Sequence, residues 1–143
     1  MPDPILTVRG CHWISIAGVS DLRGRLNFVE AGKGLDFPPK RIFWLHGVPA
    51  GHRRGRHGHR QAQLVLVALA GICQVHLDDG KAKETVMLDD PGRGLHVEPL
   101  IWHELTDFSA EAAILVLASM PYDDAEFIRD YDEFKRLAVA RVS

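Results

Sequence analysis

The sequence has few cysteines, no long apolar run and no excess of basic charge. Cys11 and Cys73 are its two cysteines, and they lie too far apart for a metal-binding or redox motif. We interpret both as packed thiols, which agrees with a reducing compartment. No stretch approaches the roughly 20 apolar residues of a membrane span, and residues 1–9 hold no apolar run of signal-peptide length. We therefore expect a cytoplasmic protein without a membrane partner.

The net charge of −2 argues against a nucleic-acid-binding protein with a broadly basic face. The segment 52–60 departs from this average, because it has no acidic residue. It holds four arginines and three histidines: Arg53, Arg54, Arg56, Arg60, His52, His57 and His59. Guanidinium groups bind phosphate oxygens in a bidentate manner, so this segment suits a compact anion such as a diphosphate. A solvated basic loop is the alternative.

Short apolar segments recur between turn signals, which is typical of an all-β sandwich or barrel. They are residues 12–17, 24–30, 41–46, 64–70, 72–77, 85–88, 95–97 and 113–118. Because 64–70 and 114–117 are apolar at nearly every position, we expect them inside the two facing sheets of a jelly roll. With 46% hydrophobic residues in 143, the chain fits one domain, and we predict its barrel at about 12–120.

The pattern changes after Pro121 and becomes helical. An aromatic stripe at helical spacing consists of Phe127, Tyr131, Phe134 and, at its end, Ala138. Asp123 followed by Glu126 resembles a capping box at a helix start. We therefore predict a short C-terminal helix over about 123–140, with its aromatic stripe packed on the barrel.

Two histidines at positions i and i+2, His57 and His59, are the main chemical feature of the sequence. Alternate side chains of a strand share a face, so both rings would point to one side of the sheet, which in a barrel can be the interior. Such a pair has two interpretations, as ligands of a metal ion or as acid–base groups in a hydrophobic cleft. We interpret the remaining histidines as surface or packing residues: His12, His52, His76 and His96.

The spacing around this pair resembles the cupin signature, with Gly51 ahead of the pair and the block 94–99 plus His103 in place of the second cupin motif. In metal-binding cupins a glutamate follows the histidine pair after three or four residues. Here those positions hold Gln63 and Leu64, so the carboxylate is missing. The histidines alone provide few ligands for a divalent ion. We expect no metal and no other cofactor, and a metal-dependent cupin oxygenase is a disfavoured alternative.

A longer ordered set of motifs resembles the dTDP-sugar 3,4-ketoisomerases, which are metal-independent cupins that act on dTDP-4-keto-6-deoxyglucose. Between about residues 14 and 137 the motifs are Asp21-x-Arg23-Gly24, Lys40-Arg41-Ile42-Phe43-Trp44, Arg54-Gly55-x-His57-x-His59, Leu77-Asp78-Asp79-Gly80, Gly94-Leu95-x-Val97-x-Pro99, Trp102-His103-Glu104, Asp107-Phe108-Ser109, Leu115-Val116-Leu117-Ala118-Ser119 and Tyr122-Asp123 with Tyr131-Asp132. The resemblance implies a cupin jelly-roll barrel, an isomerase that moves a carbonyl from C4 to C3 through an enediol, a dTDP-sugar substrate and a homodimer.

The resemblance also implies residue roles. His57 and His59 would be base and proton shuttle, and Arg23 matches a third catalytic residue, an arginine of the family's site. The negative charge of the enediolate needs a hydrogen-bond donor, which Arg23 or the second histidine could supply. The matched positions that would contact the substrate are Arg41, Phe43, Trp44, Arg54, Trp102 and His103. We expect the diphosphate against the arginines and the thymine against an aromatic face such as that of Trp102.

One departure concerns a tyrosine pair of the family, of which one member helps with catalysis. This chain has Phe43-Trp44 there, and neither side chain carries a hydroxyl. Either the proton relay runs through another group, such as His46 or a water, or the activity is weak, altered or absent. A non-catalytic nucleotide-sugar-binding cupin and a related 3,5-epimerase are therefore the alternative functions.

Overall fold

The computed structural model describes residues 4–142. The strands are β1 (Cys11–Ser15), β2 (Gly18–Asp21), β3 (Gly24–Asn27), β4 (Arg41–His46), β5 (Arg54–His59), β6 (Leu64–Ala70), β7 (Cys73–Asp78), β8 (Lys83–Leu88), β9 (Arg93–Val97), β10 (Trp102–Thr106), β11 (Ala113–Ala118) and β12 (Phe127–Ile128). A 3₁₀ helix at Asp124–Glu126 precedes β12, and the C-terminal helix α1 is Tyr131–Val142. Across the described residues, no helix has the length and apolar character of a membrane span.

Two five-stranded antiparallel sheets form the barrel, with strand orders β1-β9-β6-β11-β4 and β12-β5-β10-β7-β8. Their inner faces meet in one cluster of buried apolar side chains, to which Leu66 and Val116 contribute from the first sheet and Val75 and Leu105 from the second. The predicted all-β jelly-roll barrel with a short C-terminal helix is confirmed.

Strand β6 shows why a strand can be apolar at every position. Leu64, Leu66 and Ala68 point into the core between the sheets. Val65 and Val67 point the other way, into a second cluster with Phe37 from the segment between β3 and β4. Because this segment covers the outer face at Val65 and Val67, residues 64–68 are removed from water on both faces, whereas Leu69 and Ala70 at the end of the strand are exposed.

The C-terminal helix begins later than the predicted residue 123. Asp123 does cap a helix, since its side chain accepts a hydrogen bond from the backbone N–H of Ala125, but this 3₁₀ helix ends at Glu126. The buried Glu126 carboxylate accepts from the backbone N–H groups of Gln61 and Ala62 rather than from the cap. These contacts fasten the chain to the segment just after β5, where residues 127 and 128 pair with β5 instead of continuing a helix.

The aromatic stripe is consequently divided between two elements. Phe127 lies in β12, which pairs with β5 and sets Phe127 opposite His59. Tyr131, Phe134 and Ala138 stay in α1 and pack on the outer face of the second sheet, as predicted. Asp130 accepts a hydrogen bond from the backbone N–H of Glu133 at 3.0 Å and so stabilises the first turn of α1.

Candidate active site

Three histidines meet in a cavity of about 220 Å³ that opens between the two sheets. His57 and His59 lie on β5, and their rings share the inner face of the strand as the sequence spacing predicts. His103 is brought opposite His57 by the pairing of β10 with β5. The centroid of the His57 ring lies 5.1 Å from that of His59 and 4.8 Å from that of His103. The cavity thus holds a compact group of imidazoles.

A β-bulge in β5 adds an arginine to this group. His103 faces His57 while the next residue, Glu104, faces Gly55, so Arg56 is an extra residue in β5. On a regular strand Arg54 and His57, three positions apart, would lie on opposite faces. The bulge returns Arg54 to the cavity.

Backbone conformation explains why the bulge falls at this point. Gly55 and Arg56 have φ angles of 91° and 63°, in the left-handed region that favours glycine. A Cβ atom on Gly55 would also lie 3.0 Å from the carbonyl oxygen of His103. Glycine at residue 55 therefore allows β5 to approach β10 closely.

Burial keeps all three imidazoles neutral. Burial is the main cause that lowers the pKa of His57 to about 4, with a further contribution from Arg129. Burial, His57 and the two arginines Arg41 and Arg129 lower the pKa of His59 to about 4. The pKa of the fully enclosed His103 lies well below its usual value for the same main reason. At neutral pH the cavity therefore presents proton acceptors.

Hydrogen bonds to backbone carbonyls orient two of these rings. Nδ1 of His57 donates to the carbonyl oxygen of Gly55 at 3.2 Å, and Nδ1 of His103 donates to that of Ile101 at 3.3 Å. Because a carbonyl only accepts, Nε2 of each neutral ring carries the free lone pair. Nδ1 of His59 is buried and finds no hydrogen-bond partner among the described residues. A buried polar atom of this kind is available to a ligand.

The cavity wall combines two arginines with apolar and aromatic side chains. It is lined by Arg41, Phe43, Leu45, Arg54, Gly55, His57, His59, Leu64, Leu66, His103, Leu105, Val116, Tyr122 and Phe127. The guanidinium of Arg41 lies 4.3 Å from the ring centre of Phe43 and 5.0 Å from that of Tyr122. Cationic groups beside neutral imidazoles suit an anionic substrate that undergoes proton transfer.

The structure brings most of the predicted site residues together but separates three from the cavity. Trp44 follows Phe43 on β4, and because strand side chains alternate it points outward and is 61% exposed. Trp102 precedes His103 on β10 and packs against Tyr131 and Phe134 beneath α1. Within a single chain Trp102 therefore does not line the cavity, and the predicted thymine contact has no access to it.

Arg23, predicted as catalytic, lies at the turn of the β2–β3 hairpin. Its guanidinium is 2.7 Å from Asp21, and its side chain is 90% exposed. Every residue of β2 and β3 is exposed, and these strands pair only with each other among the described elements. Within a single chain Arg23 does not reach the cavity. His46, considered as a relay, also points outward at the end of β4.

Tyr122 and Phe127 are cavity residues that the sequence interpretation did not assign to the site. Phe127 contacts His57 and His59, with ring centroids 4.8 and 4.7 Å apart. The helical spacing of the aromatic stripe placed Phe127 in the predicted helix, so its contact with the cavity histidines was not predicted. Tyr122 stood in a recognised motif, and it carries the cavity's one phenol hydroxyl among the described residues.

The three cavity histidines are close enough to share a metal ion, since one nitrogen of each lies within 4.8 Å of the others. None of the described residues that line the cavity is acidic. Leu64, which stands where metal-binding cupins have a glutamate, contributes an apolar wall together with Leu66. The donor set is therefore three imidazoles, without the carboxylate expected of a cupin metal centre.

The chain is similar to known proteins over most of its length. The family described as FdtA: WxcM-like, C-terminal matches residues 9–139. The TDP-4-oxo-6-deoxy-α-D-glucose-3,4-oxoisomerase of Aneurinibacillus thermoaerophilus is 41% identical over 123 residues, which are 86% of this chain and 88% of the relative.

Two solved structures are also similar. A histidine-to-asparagine mutant of the 3,4-ketoisomerase QdtA from Thermoanaerobacterium thermosaccharolyticum, in complex with TDP-4-keto-6-deoxyglucose, has a TM-score of 0.92 and 30% identity, with 94% of this chain and 98% of that chain covered. The TDP-quinovose 3,4-ketoisomerase WlaRB from Campylobacter jejuni has a TM-score of 0.86 and 36% identity, with 90% and 99% covered. The family match, the identity and the shared fold together place this chain in the dTDP-sugar 3,4-ketoisomerase family, and it is an isomerase.

Proposed function

We propose that this protein converts dTDP-4-keto-6-deoxyglucose into its 3-keto isomer in deoxysugar biosynthesis. The observation that carries the proposal is the group of three neutral imidazoles beside Arg41 and Arg54 in one apolar cavity. A relative that is 41% identical bears the name of this activity. The chemistry needs proton transfer at carbon, and an imidazole that is unprotonated at pH 7 can take a proton from carbon and return it.

The reaction begins with removal of the proton on C3, which the neighbouring C4 carbonyl makes acidic. The electron pair forms a C3–C4 double bond, and the negative charge moves to the C4 oxygen. That oxygen then takes a proton, the C3 hydroxyl loses one, and a proton added to C4 leaves the carbonyl at C3. His57 is suited to remove the first proton, because its Nδ1–H is held by Gly55 and its Nε2 lone pair is free. His59 would carry protons as the shuttle.

Tyr122 is our candidate for the hydroxyl donor that the chain lacks at Phe43. Its ring lies 5.6 Å from that of Phe127 and beside the guanidinium of Arg41, so it stands at the rim of the cavity. Tyr122 is 58% exposed, and its hydroxyl donates a hydrogen bond of 3.3 Å to the carboxylate of Asp124, a contact it would exchange for one to a bound sugar. A phenol can give a proton to the C4 oxygen and later take one from the C3 oxygen.

The arginines give the substrate its orientation. Arg41 and Arg54 are the basic residues that line the cavity among the described residues, and bidentate pairing with a diphosphate would fix the nucleotide at the mouth. The sugar then extends toward the histidines. Phe43 and Phe127 provide aromatic surfaces on which the substrate can pack.

Arg23 contributes to this site if the protein is a homodimer, as the family resemblance implies. The hairpin of β2 and β3 exposes Val19, Leu22 and Leu26 to solvent. A lone two-stranded hairpin is marginally stable in water, so an exposed apolar hairpin needs a surface to cover it. We propose a second copy of the chain as that surface, which would carry Arg23 to the partner's cavity.

We place the reaction in the cytoplasm. Cys11 and Cys73 are both buried and free, which confirms that they are packed thiols and agrees with a reducing compartment. Burial is the main cause that raises the pKa of each to about 12, so neither thiol is reactive at neutral pH.

The test is incubation with dTDP-4-keto-6-deoxyglucose in D₂O, followed by NMR of the sugar protons. Deuterium at C4 in a 3-keto product supports isomerisation. Exchange at C5 indicates a 3,5-epimerase, and binding without exchange indicates a non-catalytic nucleotide-sugar-binding protein; either result contradicts the proposal. His57→Asn provides the matched control, because it keeps the shape of the cavity and removes the proposed base.

A further inference from the structure

A second group of histidines lies on the outer face of the first sheet, away from the active-site cavity. His12 on β1 and His96 on β9 are direct partners in the antiparallel pairing. Leu95 and Val97, the neighbours of His96, belong to the inner core, so the His96 ring is on the opposite face. Asp36, from the segment between β3 and β4, completes the group.

The distances in this group match those between the ligands of one metal ion. His12 Nε2 lies 3.2 Å from His96 Nδ1, and a carboxylate oxygen of Asp36 lies 3.8 Å from the same nitrogen. All three ligand atoms are within 4.8 Å of one another. Tetrahedral zinc with bonds of about 2.0–2.2 Å separates its ligands by roughly 3.3–3.6 Å. Small movements of these side chains would therefore bring the three ligand atoms to the separations found in a tetrahedral zinc site.

Gln63 supplies the orienting contact that metal-binding histidines require. Its side-chain oxygen lies 2.9 Å from Nε2 of His96, so the Nε2–H donates to the amide. A neutral ring protonated at Nε2 presents its lone pair at Nδ1, the nitrogen that faces His12 and Asp36. His96 is itself 3% exposed and is covered by the ring of Phe37, so its orientation is fixed by packing.

We propose that His12, Asp36 and His96 bind a divalent transition-metal ion of the zinc type. Two imidazoles and one carboxylate suit such an ion, whereas magnesium and calcium prefer oxygen ligands. His12 and Asp36 are exposed, so water can fill the remaining coordination position. The ion has a structural role: it fastens the segment between β3 and β4, which carries Phe37 over β6, to strands β1 and β9.

The test is titration of chelator-treated protein with Zn²⁺, followed by calorimetry, and with Co²⁺, followed by visible absorption. We expect one Zn²⁺ at this site, a Co²⁺ spectrum of tetrahedral type, and a higher melting temperature with Zn²⁺. His12→Ala and Asp36→Asn alter exposed side chains and should abolish all three responses without unfolding the protein. Gln63→Leu keeps the three ligands, and loss of the orienting contact should weaken Zn²⁺ binding about 10–100-fold.

Two controls locate the ion. His52→Ala removes an exposed histidine outside the group and should bind Zn²⁺ as the wild type does. His57→Asn breaks the other histidine cluster, in the cavity, and should also retain this binding. The proposal is overturned if His12→Ala binds Zn²⁺ as tightly as the wild type, or if His57→Asn alone abolishes binding. A wild type that shows no Zn²⁺ response overturns it as well, since His12 and His96 would then share only a hydrogen bond.

Discussion

The inner and outer faces of the same strands carry adjacent residues with unrelated surroundings. On β4, Phe43 lines the cavity while Trp44 is exposed. On β10, His103 lines the cavity while Trp102 packs beneath α1. Each of these family motifs includes both neighbouring residues. Because side chains alternate along a strand, only one of the two can face the cavity. The face of the sheet therefore decides which predicted site residues can touch the substrate.

The strongest test of this comparison is removal of the inner-face histidines. His57→Asn and His59→Asn should each lower kcat about 10²–10⁴-fold, because a general base or proton shuttle is lost. Nucleotide binding should persist, as measured by calorimetry with dTDP. His46→Asn changes an outward-facing histidine of β4 and should leave kcat within about twofold of the wild type. Near wild-type turnover in both inner variants would exclude histidine acid–base catalysis.

Tyr122→Phe tests the only phenol of the described cavity lining. As the proposed proton donor, its loss should reduce kcat by about 10²-fold, with little change in KM. Phe43→Tyr, added to Tyr122→Phe, restores a hydroxyl on the inner face and should recover part of the rate. Trp44→Tyr places the same hydroxyl on the outer face and should recover nothing. Equal rescue by both would contradict the importance of strand face.

Arg54→Ala tests the role in substrate binding of Arg54, whose side chain the bulge in β5 turns toward the inner face. Loss of a charge-assisted contact to the diphosphate should raise KM about 10–100-fold, which corresponds to roughly 1.5–3 kcal/mol. Saturating substrate should restore most of kcat. Arg56→Ala, at the extra residue of the bulge, removes an arginine that does not line the cavity and should leave KM nearly unchanged. If saturating substrate does not rescue Arg54→Ala, the binding assignment of Arg54 is wrong.

The pH profile separates buried inner-face histidines from exposed ones. Burial lowers the pKa of His57 and His59 to about 4, assisted by Arg129 and, for His59, by His57 and Arg41. The base is active when deprotonated, so kcat/KM should fall only as the pH drops through about 4. An imidazole with an ordinary pKa near 6.5 would lose about tenfold by pH 5.5. If kcat/KM instead falls as the pH drops through about 6.5, the catalytic histidine is solvent-exposed rather than buried.

The barrel was predictable from the sequence because the apolar runs of β6 and β11 contribute side chains to a buried cluster on each face of the first sheet. Strands β4, β6 and β11 occur where the pattern placed them, and the two histidines of β5 share the predicted face. The boundary of α1 was not predictable from periodicity. The carboxylate of Glu126 binds the backbone N–H groups of Gln61 and Ala62, and the following residues pair with β5 as β12; both contacts are distant in sequence.

A site residue was predictable where it belonged to a family motif and also lay on the inner face of its strand. The bulge in β5 was not, since Gly55 and Arg56 give no periodic signal and the extra residue is apparent only against the register of β10. Arg23 shows a different limit. Its motif matches the family, but the hairpin that carries it does not line the cavity of its own chain, so the catalytic role proposed for Arg23 requires the proposed second copy.

Trp102→Phe is the smallest and most discriminating change in this comparison. Trp102 contacts Tyr131 and Phe134 with ring centroids 5.3 and 5.6 Å away, on the face of β10 opposite His103. A smaller aromatic ring keeps part of this packing, so we expect a loss of about 1 kcal/mol in unfolding free energy, measured by urea denaturation. KM and kcat should stay within about twofold, because no contact with the cavity is removed. A raised KM with unchanged stability would mean that Trp102 binds the nucleotide, and the outer face of β10 would then belong to the active site of the assembled protein.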